Sequence, residues 1–156
     1  MGVKDSADRY PAVVRRLAMP ITLLAAAISG CQTVAYEPQR ATRPYPRQLA
    51  QGSVAQVQVI PGPHSIRLVN ATASGYSDFD LWLNQRYVTH VDGLASGQTL
   101  EVPLDRFWDE RGEAPFEGGW FRYYQPTPIV LVQAQMDEKS PLIGFICTLP
   151  EAVRER

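Results

Sequence analysis

His64 and His90, the aspartates Asp78, Asp80 and Asp92, the cysteine Cys147 and a dense run of aromatic residues are the groups here whose types could do chemistry. Ser65, His90 and Asp92 supply a nucleophile, a base and an orienting carboxylate on paper. Any chain of this size offers such combinations, and the geometry that makes them a triad is not visible in sequence. No nucleophile elbow, phosphate-cradling glycine loop or paired-histidine zinc helix occurs. Catalysis is therefore not expected. Asp78, Asp80 and Asp92 are the kind of carboxylates that hold calcium, but the EF-hand spacing is absent and calcium needs six to eight oxygens. Asp109, Glu110, Glu113 and Glu117 read as a solvated acidic loop. No metal or other cofactor is expected.

The aromatics are more suggestive. Gly118-Gly119-Trp120-Phe121-Arg122-Tyr123-Tyr124 packs four rings and a cation into one short segment. On a strand, Trp120, Arg122 and Tyr124 share one face and Phe121 and Tyr123 the other. An exposed face of Trp120, Arg122 and Tyr124, joined by Trp82, could stack on sugar rings or anchor a protein partner. The alternative is that these rings are core and edge cover. Cys147 alternates with Ile143, Phe145 and Leu149 as one buried strand face does, which favours an inert thiol over a nucleophile.

The elements that must position these groups are strands. Val57 and Val59 alternate with glutamines, and Pro61-Gly62-Pro63 marks a turn. Alternation returns at Ile66–Asn70, at Phe79–Leu83 and at Tyr87–Val91, the last two joined by a tight turn at Asn84-Gln85. Leu100, Val102 and Leu104 alternate next, with Pro103 demoting that segment to an edge or a strand end. A helical turn fits residues 105–108, and further strands fit Trp120–Tyr124, Ile129–Met136 and Leu142–Leu149. Seven to eight short strands with turn signals between them predict an all-β, immunoglobulin-like β-sandwich over residues 56–150. Residues 151–156 form a charged tail. The stretches Phe79 to Val88 and Gly97 to Phe107 resemble the strand-turn-strand pattern of small immunoglobulin-like extracytoplasmic domains. They match no named family of assigned activity.

Upstream, the chain changes character. Arg15 and Arg16 precede an apolar run from Leu17 to Ile28, and small residues then lead into Cys31. At 12 residues, broken by Pro20, the run is too short to span a bilayer. Ile28-Ser29-Gly30-Cys31 resembles the lipobox of bacterial lipoproteins. That resemblance implies a signal peptide over residues 1–30, lipid on Cys31 and residence in the cell envelope. Gln32, in place of aspartate, resembles the outer-membrane class. Sec and twin-arginine export both remain open. Residues 31–55, with Pro38, Pro44 and Pro46, read as a tether, whose Arg40, Arg43 and Arg47 fall short of a headgroup-binding cluster.

Charge narrows the partners. Removing Lys4, Arg9, Arg15 and Arg16 from 15 basic residues, and Asp5 and Asp8 from 16 acidic ones, leaves 11 positive against 14 negative charges. Such a mature chain has no basic stripe with which to neutralise phosphates, so nucleic acid is not expected. The reading is a non-enzymatic envelope lipoprotein, held to the membrane through lipid on Cys31, that binds a protein partner or serves as an accessory subunit. The alternative is a glycan- or peptidoglycan-binding module using the aromatic face.

Overall fold

The computed structural model describes residues 35–118 and 125–148. Cys31, Trp120, Arg122, Tyr124, the leader over 1–30 and the tail over 151–156 lie outside the described residues. The architecture is all-β. Its strands are β1 (Gln51–Pro61), β2 (Ser65–Asn70), β3 (Tyr76–Leu83), β4 (Tyr87–Leu94), β5 (Thr99–Pro103), β6 (Val132–Gln135) and β7 (Leu142–Cys147). A 3-10 turn at Leu104–Arg106 follows β5, close to the helical turn expected over 105–108.

Strand order is β4-β3-β6-β7-β1-β2-β5. All seven strands join one continuous mixed sheet, nearly barrel-shaped, in keeping with the expected all-β, sandwich-like class. The long β1 runs parallel to β7 and antiparallel to β2. Register shifts along the β1–β7 ladder let β1 bend, as bulges do. β5 ends on Pro103 and forms one edge, where a missing N–H costs no ladder bond.

The inward faces follow the period-two pattern. Val57, Val59, Ile66, Leu68, Phe79, Leu81, Leu83, Val102, Val132, Ala134 and Phe145 form one core, with Ile143 and Cys147 packed against it. Phe79, Phe145 and Tyr76 meet edge to face within it, at 5.8–6.4 Å between centroids. The β3–β4 turn places both Asn84 (φ 51°) and Gln85 (φ 57°) in the left-handed region, as the hairpin twist demands. Asn84 also donates to the Pro128 carbonyl at 2.7 Å and accepts from the Val130 and Leu131 N–H groups. It thereby pins the chain entering β6.

Two boundaries differ from expectation. β1 starts at Gln51, five residues before the anticipated domain start. The stretch 35–50 is a strap packed on the domain. Tyr36 bridges Glu113, Thr42 donates its N–H to the Asp109 carbonyl at 2.9 Å, and Tyr45 is buried with Trp82, Val88 and Leu142 in a second apolar cluster. A stretch punctuated by Pro38, Pro44 and Pro46 carries no periodic signal. Its contacts come from single anchoring side chains, which explains why it resembles a free tether in sequence.

Candidate functional site

The outward face of β3, β6 and β7 is where the strap lies, and Trp82 sits beneath it. Trp82 is 0% exposed. Its Nε1–H donates to Gln135 Oε1 at 2.9 Å, a ring edge of Tyr45 meets it, and the Arg43 guanidinium lies 5.6 Å from its centroid. This corrects the expectation that Trp82 joins an exposed aromatic face. β3 does point Trp82 away from the main core, as alternation requires, but the strap covers that side. The Tyr45 hydroxyl donates to Gln133 Oε1 at 2.8 Å and accepts from Gln51 Nε2 at 3.2 Å, and Gln133 in turn donates to Gln51. Every buried side-chain polar atom among the described residues has a partner, as a polar network under a strap requires.

At the edge of that network the structure assembles the expected carboxylates around an imidazole. His90 Nδ1 lies 3.1 Å from Asp80 Oδ1, and its Nε2 lies 3.3 Å from Asp78 and 3.8 Å from Asp92. Arg43 pairs with Asp80 and donates to Gln135 at 3.0 Å. Asp78 has φ 54° within β3. A shallow cavity of about 220 Å³ opens beside the group. Among the described residues no three histidine, cysteine, aspartate or glutamate side chains are placed to hold a metal ion. The imidazole and guanidinium take the space and the charge between the carboxylates. Ser65 is not part of this group, because its hydroxyl donates to Glu101 on β5. The paper triad is not assembled.

The acidic loop after β5 is structural at Asp109, whereas Glu110 is exposed as a solvated loop would have it. Asp109, its side chain 3% exposed, accepts from Arg86 Nε and Nη2 at 2.9 and 2.8 Å and from the Arg111 and Glu113 N–H groups. Burial alone would raise its carboxyl. The Glu113 N–H, the Arg86 guanidinium and the Arg111 N–H outweigh that and hold it below its ordinary value. Arg86 also pairs with Glu113 and covers the Tyr87 ring at 4.8 Å. Glu117 meets His64 Nδ1 at 2.5 Å on the surface. A cavity of about 430 Å³ between strap, hairpin turn and this loop is lined by Tyr45, Arg47, Asn84, Arg86 and Arg111.

Cys147 packs inward, and its thiol contacts the Ile129 carbonyl at 3.2 Å. Burial pushes the thiol above its ordinary value, which lowers the thiolate fraction a nucleophile needs. An apolar feature that the strand pattern did not single out lies on the outward side of the β1–β7 seam. Val54 (67% exposed) stands over Gly144, and Ile146 (45% exposed) follows two residues along the same face of β7. The signal was present in sequence as apolar residues at outward positions, Val54 between Ser53 and Ala55 and Ile146 between Phe145 and Cys147. No family model, curated protein or solved structure matches the chain.

Proposed function

We propose that this chain is a lipid-anchored protein of the bacterial cell envelope, of the outer-membrane class. Its sandwich works without catalysis, as a binding or accessory subunit for a protein partner. The anchor rests on Ile28-Ser29-Gly30-Cys31. The observation that carries the partner reading is the pair Val54 and Ile146, exposed on the adjacent strands β1 and β7. Gln56 and Gln58 flank them. An apolar strip with uncharged polar neighbours is the make-up of a protein-contact centre. The polar clusters around Asp80 and Asp109 hold the strap and the 109–113 loop, which is a structural use. The glycan alternative loses Trp82 and retains Trp120, Arg122 and Tyr124.

Cross-linking the full-length acylated protein in its native envelope, followed by mass spectrometry, tests the reading. A stoichiometric protein captured by the natural chain and lost with Val54→Asp plus Ile146→Asp supports it. Capture that ignores both substitutions removes the seam as the contact surface. Recovery of glycan with no protein turns the reading over to the aromatic segment.

A further inference from the structure

The strap starts at an edge of the domain that it shares with the 112–114 segment. The Ala35 carbonyl accepts the Ala114 N–H at 3.1 Å, Tyr36 bridges Glu113, and the Glu37 N–H donates to the Gly112 carbonyl at 2.8 Å. Gly112 makes this approach possible. It has φ +80°, and a Cβ there would lie 2.2 Å from the Glu37 carbonyl oxygen. Ala35, the first described residue of this edge, lies four peptide steps after Cys31. A chain reaches at most about 3.6 Å per residue, so those steps cover about 14 Å. The remainder of the expected tether is occupied: Arg40 stacks over Trp108 at 5.0 Å, and Arg43 and Tyr45 close over Trp82.

The edge nearest Cys31 has a distinctive surface. Tyr36 is 61% exposed, and a tyrosine ring with its hydroxyl favours the boundary between hydrocarbon and water. The charges around it are largely paired within the protein, Glu37 with Arg40, and Asp109 and Glu113 with Arg86. One negative charge is left over, since Asp109 and Glu113 share Arg86, and exposed Glu110 and Arg111 offset each other, so little net charge remains to attract or repel headgroups. We propose that the Tyr36–Glu113 edge rests on the bilayer interface, with the Tyr36 ring among the headgroups, so that the domain is held against the membrane and does not range from it. This rests on lipidation of Cys31 as proposed above. Because the neighbouring charges are paired, the contact is insensitive to salt and to anionic lipid.

The test uses the full-length acylated chain with Cys147→Ser and Ala35→Cys, the new thiol carrying an environment-sensitive dye beside an intact Tyr36. It is reconstituted in phosphatidylcholine vesicles with and without phosphatidylglycerol, and intact mass reports the acyl chains. The dye is expected to brighten and shift to shorter wavelength on leaving water for the interface. Spin-labelled lipid should quench it, equally in both compositions and at high salt. The same dye at Thr99→Cys, on the β5 edge, should stay silent. A Gly-Ser spacer of about ten residues inserted between Gln32 and Thr33 should reduce the signal by lengthening the reach. An acylated protein whose dye at position 35 remains in water overturns this inference alone. An unmodified Cys31 overturns the anchored reading and this inference together. A signal that collapses at high salt replaces the paired-charge edge with electrostatic docking.

Discussion

Tyr45 meets Trp82 edge-on, their ring centroids 5.3 Å apart and their planes at 89°. The two residues come from a proline-punctuated strap and from the middle of β3, and their contact is what turns the outward face of the sheet into a second small core. Around it the Tyr45 hydroxyl, Gln51 and Gln133 form one hydrogen-bonded set, and Trp82, Arg43 and Gln135 form another.

Substitution at Tyr45 should separate packing from hydrogen bonding. Tyr45→Phe removes the hydroxyl from Gln133 and Gln51 and is expected to cost about 1 kcal/mol. Tyr45→Ala also uncovers Trp82 and is expected to cost about 3 kcal/mol. Denaturant unfolding gives both values. Trypsin cleavage after Arg47 should accelerate in the alanine variant far more than in the phenylalanine one, because the strap opens locally.

Asp109→Asn should destabilise the domain by about 2 kcal/mol, since it weakens charge-assisted bonds at a buried acceptor and leaves Arg86 with Glu113 alone. Arg86 is half-exposed, so solvent screens part of the pair and the cost stays below that of a fully buried one.

The same carboxyl makes stability depend on pH. Its folded value lies below its unfolded one, so its contribution is complete above the unfolded value, about pH 4, and is lost as pH falls through the folded value. Unfolding curves of the natural chain should therefore steepen in their pH dependence below about pH 4. Asp109→Asn should flatten that limb. An equal slope in both proteins would mean that other carboxylates carry the acid sensitivity.

Gln85→Gly is expected to stabilise the fold by up to about 1 kcal/mol. Gln85 holds φ 57° at an exposed turn position, where a Cβ is strained and glycine is not. Asn84→Gly should do the opposite despite its own φ of 51°, because it discards the bonds to Pro128, Val130 and Leu131. Thermal unfolding of the two variants side by side checks the opposite signs.

Gly112→Ala should detach the start of the strap. The added methyl would meet the Glu37 carbonyl oxygen, which is backbone and cannot swing aside. Amide hydrogen exchange should show loss of protection at Glu37 and Ala114, while the β2–β5 pair stays protected.

Much of the framework was legible along the chain. The alternation of Phe79, Leu81 and Leu83 assigned β3 its core face, Asn84-Gln85 marked the hairpin, Pro103 marked the edge, and Ile143, Phe145 and Cys147 marked the inward face of β7. These are local matters: side chains alternate every residue on a strand, and left-handed turn positions and missing N–H groups act within a few residues. The strap was not legible, because it has no period. Its hold depends on Tyr45, Arg43 and Thr42 finding partners 37 to 92 residues away. Nor could spacing alone show that Asp109 is buried under Arg86, since a charged loop and a buried ion pair have the same composition.

By itself, then, the sequence determined the all-β class, the turns and the inward faces, and it supplied the Cys31 motif on which the anchored proposal stands. Only the tertiary structure decided that Trp82 is covered and that the strap over residues 35–50 packs on the domain. It also decided that His90 sits among three aspartates, and that Val54 and Ile146 are left in the open on one face. The reason is physical: alternation says which side of a sheet a residue faces, whereas burial depends on what the rest of the chain lays against that side.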